Sequence, residues 1–75
     1  MITITDFPKA ESPYWKVEDS TGELGKDIFP YDSSDPTGYD RIHVLRQIVD
    51  VYSIMSKCKN KAWKTQGSVF ILTLE

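Results

Sequence analysis

"YDRIHVLRQIVDVYSIMSKCKNK", residues 39–61, is the stretch whose reading decides the fold. On a wheel of about 100° per residue, Ile42, Leu45, Ile48, Val49, Tyr52 and Met55 fall in one broad arc, with Val44 and Val51 at its edge. Ser53, Arg46, Lys57, Asp50, His43, Lys61 and Gln47 fill the opposite arc, where Ile54 is the one stranded apolar residue. No proline or glycine interrupts the run. The spacing predicts one long helix from Tyr39 to about Lys61, with a single apolar face that must be covered by something else.

The segments on either side supply that cover. "MITIT" alternates apolar and polar β-branched residues, the pattern of a half-buried strand with Ile2 and Ile4 inward and Thr3 and Thr5 outward. "YWKVE" (14–18) reads as a second strand, with Trp15 and Val17 sharing a face. "DSTG" (19–22) has the composition of a turn, and "ELGKDIF" (23–29) returns as a third strand with Leu24 and Ile28 on one side. Beyond the helix, "KTQG" (64–67) marks its end, and "SVFILTL" (68–74) is a last strand with apolar residues on both faces, as in a sheet centre. The terminal Leu74-Glu75 is the dipeptide a cloning site leaves, and on that reading carries no structural role.

The expected architecture is α+β: a small, mainly antiparallel sheet of three to four strands packed on one long helix, in a single domain of 75 residues. One helix covers one face. Trp15, with Phe70 or Val69, is expected on the other face, which is then a surface for self-association unless loops cover it.

Immediately before the helix stands "FPYDSSDPTGYD", residues 29–40. Asp35 followed by Pro36 fits an N-cap with proline at the first helical position, and Thr37 with Asp40 is a capping-box-like alternative. Asp32, Tyr31 and Tyr39 are then the parts of the loop most free to meet a partner.

The net charge of −2 conceals a division. Residues 1–40 carry nine acidic and three basic side chains, and residues 41–75 carry six basic and two acidic. Such a distribution either holds the two halves together or steers association with a basic surface. A single cysteine permits no internal disulfide, the start has no signal-peptide pattern, and the longest apolar run, "VFIL", is too short for a membrane span. A cytoplasmic protein is expected.

Chemical motifs fail at named positions. His43 and Cys58 lie fifteen residues apart on the expected helix, about 22 Å, too far to share a metal ion. A calcium loop begun at Asp32 meets Pro36 at its fifth place and Thr37 where glycine is needed. "GELGK" (22–26) has two residues between glycines where a phosphate loop needs four, and Asp27 follows its lysine. No spacing selects a nucleophile for His43. Neither an enzyme nor a cofactor or metal is expected. "KCKNKAWK" (57–64) offers Lys57, Lys59, Lys61, Lys64 and Trp63 as an alternative nucleic-acid surface. The overall pI of about 5.3 argues against it. The blander reading is a helix C-terminus dressed with lysines that complement its dipole.

In length, acidity, α+β order and lack of motifs, the chain resembles the small inhibitors that bacteriophages encode against host machinery, the anti-CRISPR proteins among them. The resemblance implies competition: acidic side chains occupy a basic surface, often a nucleic-acid channel, of a host protein complex. The contacts are then expected from Asp32, Asp35, Tyr31 and Tyr39 in the loop and from Glu18, Asp19 and Glu23 at the hairpin tip. A self-associating assembly protein, homodimeric through the uncovered sheet face, is the reading of another class.

Overall fold

The computed structural model describes residues 1–75. Five strands and one helix follow in the order β1 (Ile2–Phe7), β2 (Tyr14–Asp19), β3 (Gly25–Ile28), α1 (Tyr39–Met55), β4 (Lys61–Gln66) and β5 (Val69–Leu74). All neighbouring strands pair antiparallel, in the spatial order β3-β2-β1-β5-β4. The helix connects one edge of the open sheet to the other, packing across one face on the way. The α+β class is as the sequence predicts. The sheet has five strands where three to four are expected.

The core follows the alternation in the strands. Ile2 and Ile4 of β1, Trp15 and Val17 of β2, and Leu72 and Leu74 of β5 meet Val44, Leu45 and Ile48 of the helix, with Tyr31 closing the cluster. Ile4 lies opposite both Val17 and Leu72, so three central strands place one apolar side chain each at the same level. Full burial of a side chain of this size contributes about 1.5–3 kcal/mol.

Several expectations are corrected here. Trp15 is fully buried under the helix, and its indole N–H donates to the Arg41 carbonyl at 3.2 Å. It does not belong to the uncovered face. Register places Thr3, Thr5, Lys16, Glu18 and Thr73 on that face, leaving the Phe7–Tyr14 stack, Val69 and Ile71 as its apolar content. Leu74 is fully buried, and the Glu75 backbone exchanges two hydrogen bonds with Asn60, so these residues are structural. Along the helix, Ile42, Val51 and Met55 are exposed although the wheel sets them toward the sheet. Ile54 is exposed as its position implies, at 78%.

The helix stops at Met55, short of Lys61, because the chain makes a Schellman closure. The Lys57 N–H donates to the Ile54 carbonyl and the Cys58 N–H to the Ser53 carbonyl, with Lys57 in the left-handed region at φ 52. Residues 61–66 then form an edge strand. Gly67, at φ 63, makes the two-residue turn to β5. Of the lysines of 57–64, only Lys57 stands at the helix end; Lys59 lies in the following loop, and Lys61 and Lys64 are on the strand.

Candidate functional site

The most distinctive side-chain cluster lies where the helix begins. β1 alternates inward at Ile2, Ile4 and Asp6, so the third inward position is a carboxylate, only 1% exposed. Arg41 in the first turn of the helix donates from Nη2 to Asp6 Oδ2 and to the Ser68 carbonyl. Tyr31 Oη donates to Asp6 Oδ1 at 2.7 Å, so both carboxylate oxygens are partnered. The Arg41 guanidinium also lies 4.2 Å above the Phe70 ring. Its Nε is buried without a partner. Burial, and then the hydrogen bond to Asp6, hold the Tyr31 hydroxyl protonated well beyond the ordinary tyrosine range.

Above this network opens a cleft of about 360 Å³, lined by Pro8, Tyr31, Asp32, Asp35, Gly38 and Arg41 among others. Its rim is the acidic loop. Asp35 Oδ1 accepts the Thr37 N–H and hydroxyl, and Oδ2 accepts the Asp40 N–H. The formal cap position is Gly38, in the left-handed region at φ 69, and the helix begins at Tyr39. Asp35 thus serves the helix start from three residues before the cap, and Pro36 is not the first helical residue. Thr37 Oγ1 accepts the Tyr39 N–H, and Asp40 Oδ2 accepts the Asp32 N–H. Asp32 Oδ1 accepts the Ser34 hydroxyl and N–H. Bonds from the hydroxyl and N–H of Ser34 to Asp32, and of Thr37 to Asp35, hold both carboxyls below the ordinary aspartate value.

The expected partner residues do not converge. Tyr31 is buried and is withdrawn from the surface. Asp32 is exposed, and Tyr39 is 65% exposed with its ring stacked on His43 at 5.5 Å. Asp35 is half-buried and both its oxygens are engaged. Glu18, Asp19 and Glu23 lie at the other end of β2, the length of a six-residue strand away, about 17 Å. There Glu18 pairs with Lys16 at 3.6 Å, while Asp19 Oδ1 accepts the Leu24 N–H within the hairpin turn. The structure therefore divides the anticipated acidic face between two ends of the sheet.

The alternative lysine cluster is also redistributed. Lys61 and Trp63 stand on the helix side of β4 and Lys64 on the other side, as their pairing with Leu74, Leu72 and Ile71 requires. Lys57 and Lys59 lie in the preceding loop. Trp63 is 48% exposed and leans on Phe70.

Asp6 and Arg41 escaped the sequence reading, although a signal was present. Asp6 continues the inward alternation of Ile2 and Ile4, and Arg41 lies two helical turns before Ile48, inside the apolar arc. Two opposite charges, each alone on an apolar stripe, are the signature of a pair. No group of three His, Cys, Asp or Glu side chains is arranged to hold a metal ion. No helix is long and apolar enough to cross a membrane. Comparison with protein-family models, curated proteins and solved structures gives no match to this chain.

Proposed function

We propose that this chain is a small non-enzymatic protein-binding module that docks the rim of its helix-start cleft on a basic surface of a partner. It acts by occupancy, masking a surface the partner uses for nucleic acid, as the resemblance to phage inhibitors implies. The observation that carries this reading is the rim itself. The Arg41 charge is met from below by Asp6, so Asp32 and Asp35 leave the opening acidic. Asp32 is the carboxylate with capacity to spare: Oδ1 is used by Ser34, and Oδ2 accepts nothing from the chain. The first turn of the helix, tied to Asp32 through the Asp40 carboxylate, carries the exposed Tyr39–His43 stack, a flat aromatic surface. Carboxylate plus aromatic face suits an arginine, whose guanidinium can pair with one and stack on the other.

The test uses a blocked arginine-rich peptide, followed by amide chemical shifts at Asp32 and Tyr39. Affinity falls as salt is added, because the contacts are exposed and screened. Asp32→Asn keeps an acceptor for Ser34 and removes the charge, so it weakens binding about tenfold while leaving the melting temperature in place. Binding that is constant from low to high salt, or unchanged in Asp32→Asn, overturns the reading.

A further inference from the structure

The two edges of the sheet are not equivalent. β3 has four residues and is shut off by Phe29, in the left-handed region at φ 50, and by Pro30. β4 has six residues, all exposed, and the helix does not reach over it. Its backbone polarity can be assigned. Asn60 and Glu75 exchange both N–H···O bonds. An antiparallel ladder alternates such pairs with non-bonded ones, so Ala62, Lys64 and Gln66 direct their N–H and C=O groups to β5. The turn agrees, because Gln66 and Val69 close a two-residue hairpin. Lys61, Trp63 and Thr65 therefore direct their donors and acceptors away from the sheet, spaced to receive a strand.

The charged side chains of β4 and of the loop before it are of one sign, and Glu75, opposite Asn60 at the start of the strand, is their one acidic neighbour. Residues 52–74 contain Lys57, Lys59, Lys61 and Lys64 and no aspartate or glutamate. Lys61 stands beside exposed Trp63 on the helix side and Lys64 on the other, so both faces of an added strand would meet a cation. Two copies paired along β4 would instead bring four lysines, Lys61 and Lys64 of each, into one seam. A nucleic acid would use the lysines and leave the outward backbone groups unpaired.

We propose that β4 is a docking edge for an extended acidic segment of a partner protein, which joins the sheet as a sixth strand. Its backbone bonds to Lys61, Trp63 and Thr65, its carboxylates meet Lys61 and Lys64, and an apolar side chain covers Trp63 and Phe70. This surface is separate from the acidic cleft and takes a ligand of opposite charge.

The probe is a blocked peptide of about eight residues repeating Glu-Thr-Val-Glu, which as a strand presents glutamate on both faces and valine on one, and is long enough to span a strand of this size. It is titrated into the full chain by calorimetry and by tryptophan fluorescence, in which Trp63 responds and buried Trp15 does not. Thr65→Pro removes an outward N–H and no bond to β5, so the fold is kept and peptide binding falls by about tenfold or more. Lys64→Pro removes an inward N–H and lowers the melting temperature instead. If Thr65→Pro fails to fold, the double variant Lys61→Glu/Lys64→Glu decides: it loses the glutamate peptide and gains a lysine–valine peptide. Three results overturn the proposal: no binding of the peptide at low salt, tighter binding of an oligonucleotide than of the peptide, or a peptide-independent dimer that Thr65→Pro abolishes.

Discussion

Asp6 makes one carboxylate serve three elements. It sits on β1, accepts from Tyr31 in the loop and from Arg41 on the helix, and so fixes where the helix begins relative to the sheet. Removing it leaves a largely buried guanidinium and a buried phenol without their partner. Asp6→Ala is expected to cost about 3 kcal/mol in chemical denaturation, toward the low end for broken buried pairs because Arg41 keeps some solvent contact. Replacing the whole set, Asp6→Leu with Arg41→Met and Tyr31→Phe, should recover most of that loss, since nothing polar is then left unpaired. A full loss in the triple variant would mean the cluster stabilises by packing shape alone. The parity of Asp6 and the wheel position of Arg41 are legible in the sequence. That they meet is not, because they are 35 residues apart and nothing local links them.

Among the elements, the helix and the strands β1 and β2 are readable because their periodicity is strong and their burial one-sided. The helix C-terminus and β4 are not. Helices usually close with glycine in the left-handed position, and here that residue is Lys57. With no glycine or proline between Met55 and Lys61, the sequence carries no stop signal there. Lys57→Gly should therefore stabilise the protein, by about 0.5–1 kcal/mol, by removing the side-chain clash of that conformation. Equilibrium unfolding measures it, and no change or a loss would mean that Lys57 makes compensating contacts. β4 was hidden for a different reason. An edge strand needs no apolar alternation, and its lysines are what keep such an edge from pairing indiscriminately. The Gly67-Ser68 turn was its available signature.

At the scale of the whole molecule, charge is distributed by topology and not by sequence halves. One ion pair, Asp6–Arg41, joins the acidic half to the basic half, and the other, Lys16–Glu18, is local to β2. Four further carboxylates, Asp19, Asp32, Asp35 and Asp40, accept bonds from backbone N–H or hydroxyl donors. Asp19, bonded by the Leu24 N–H, joins Asp32 and Asp35 in titrating below the ordinary aspartate value. In each the folded form binds protons more weakly than the unfolded chain. Their contribution is thus complete above the unfolded value of about 3.9 and is lost as pH falls through the lower folded values. The melting temperature should stay level from neutral pH to about pH 5 and drop below about pH 4, with a shallower acid limb in Asp35→Asn. Tyr31 acts with the opposite sign, its contribution being lost as pH rises past the ordinary tyrosine value. An acid limb unaffected by Asp35→Asn would remove the helix-start aspartate from this account.

The sequence by itself determined the α+β class, the inward faces of β1 and β2, and the existence and start of the helix. Each of these depends on periodicity or on hydrogen bonds between residues a few positions apart. The tertiary structure decided the rest: that Trp15 is core, that Tyr31 is buried on Asp6, that the two acidic segments stand at opposite ends of the sheet, and that β4 is an open edge. These depend on which strands become neighbours, and strand order is set by the packing of the complete core, for which no short stretch of the chain carries a signal.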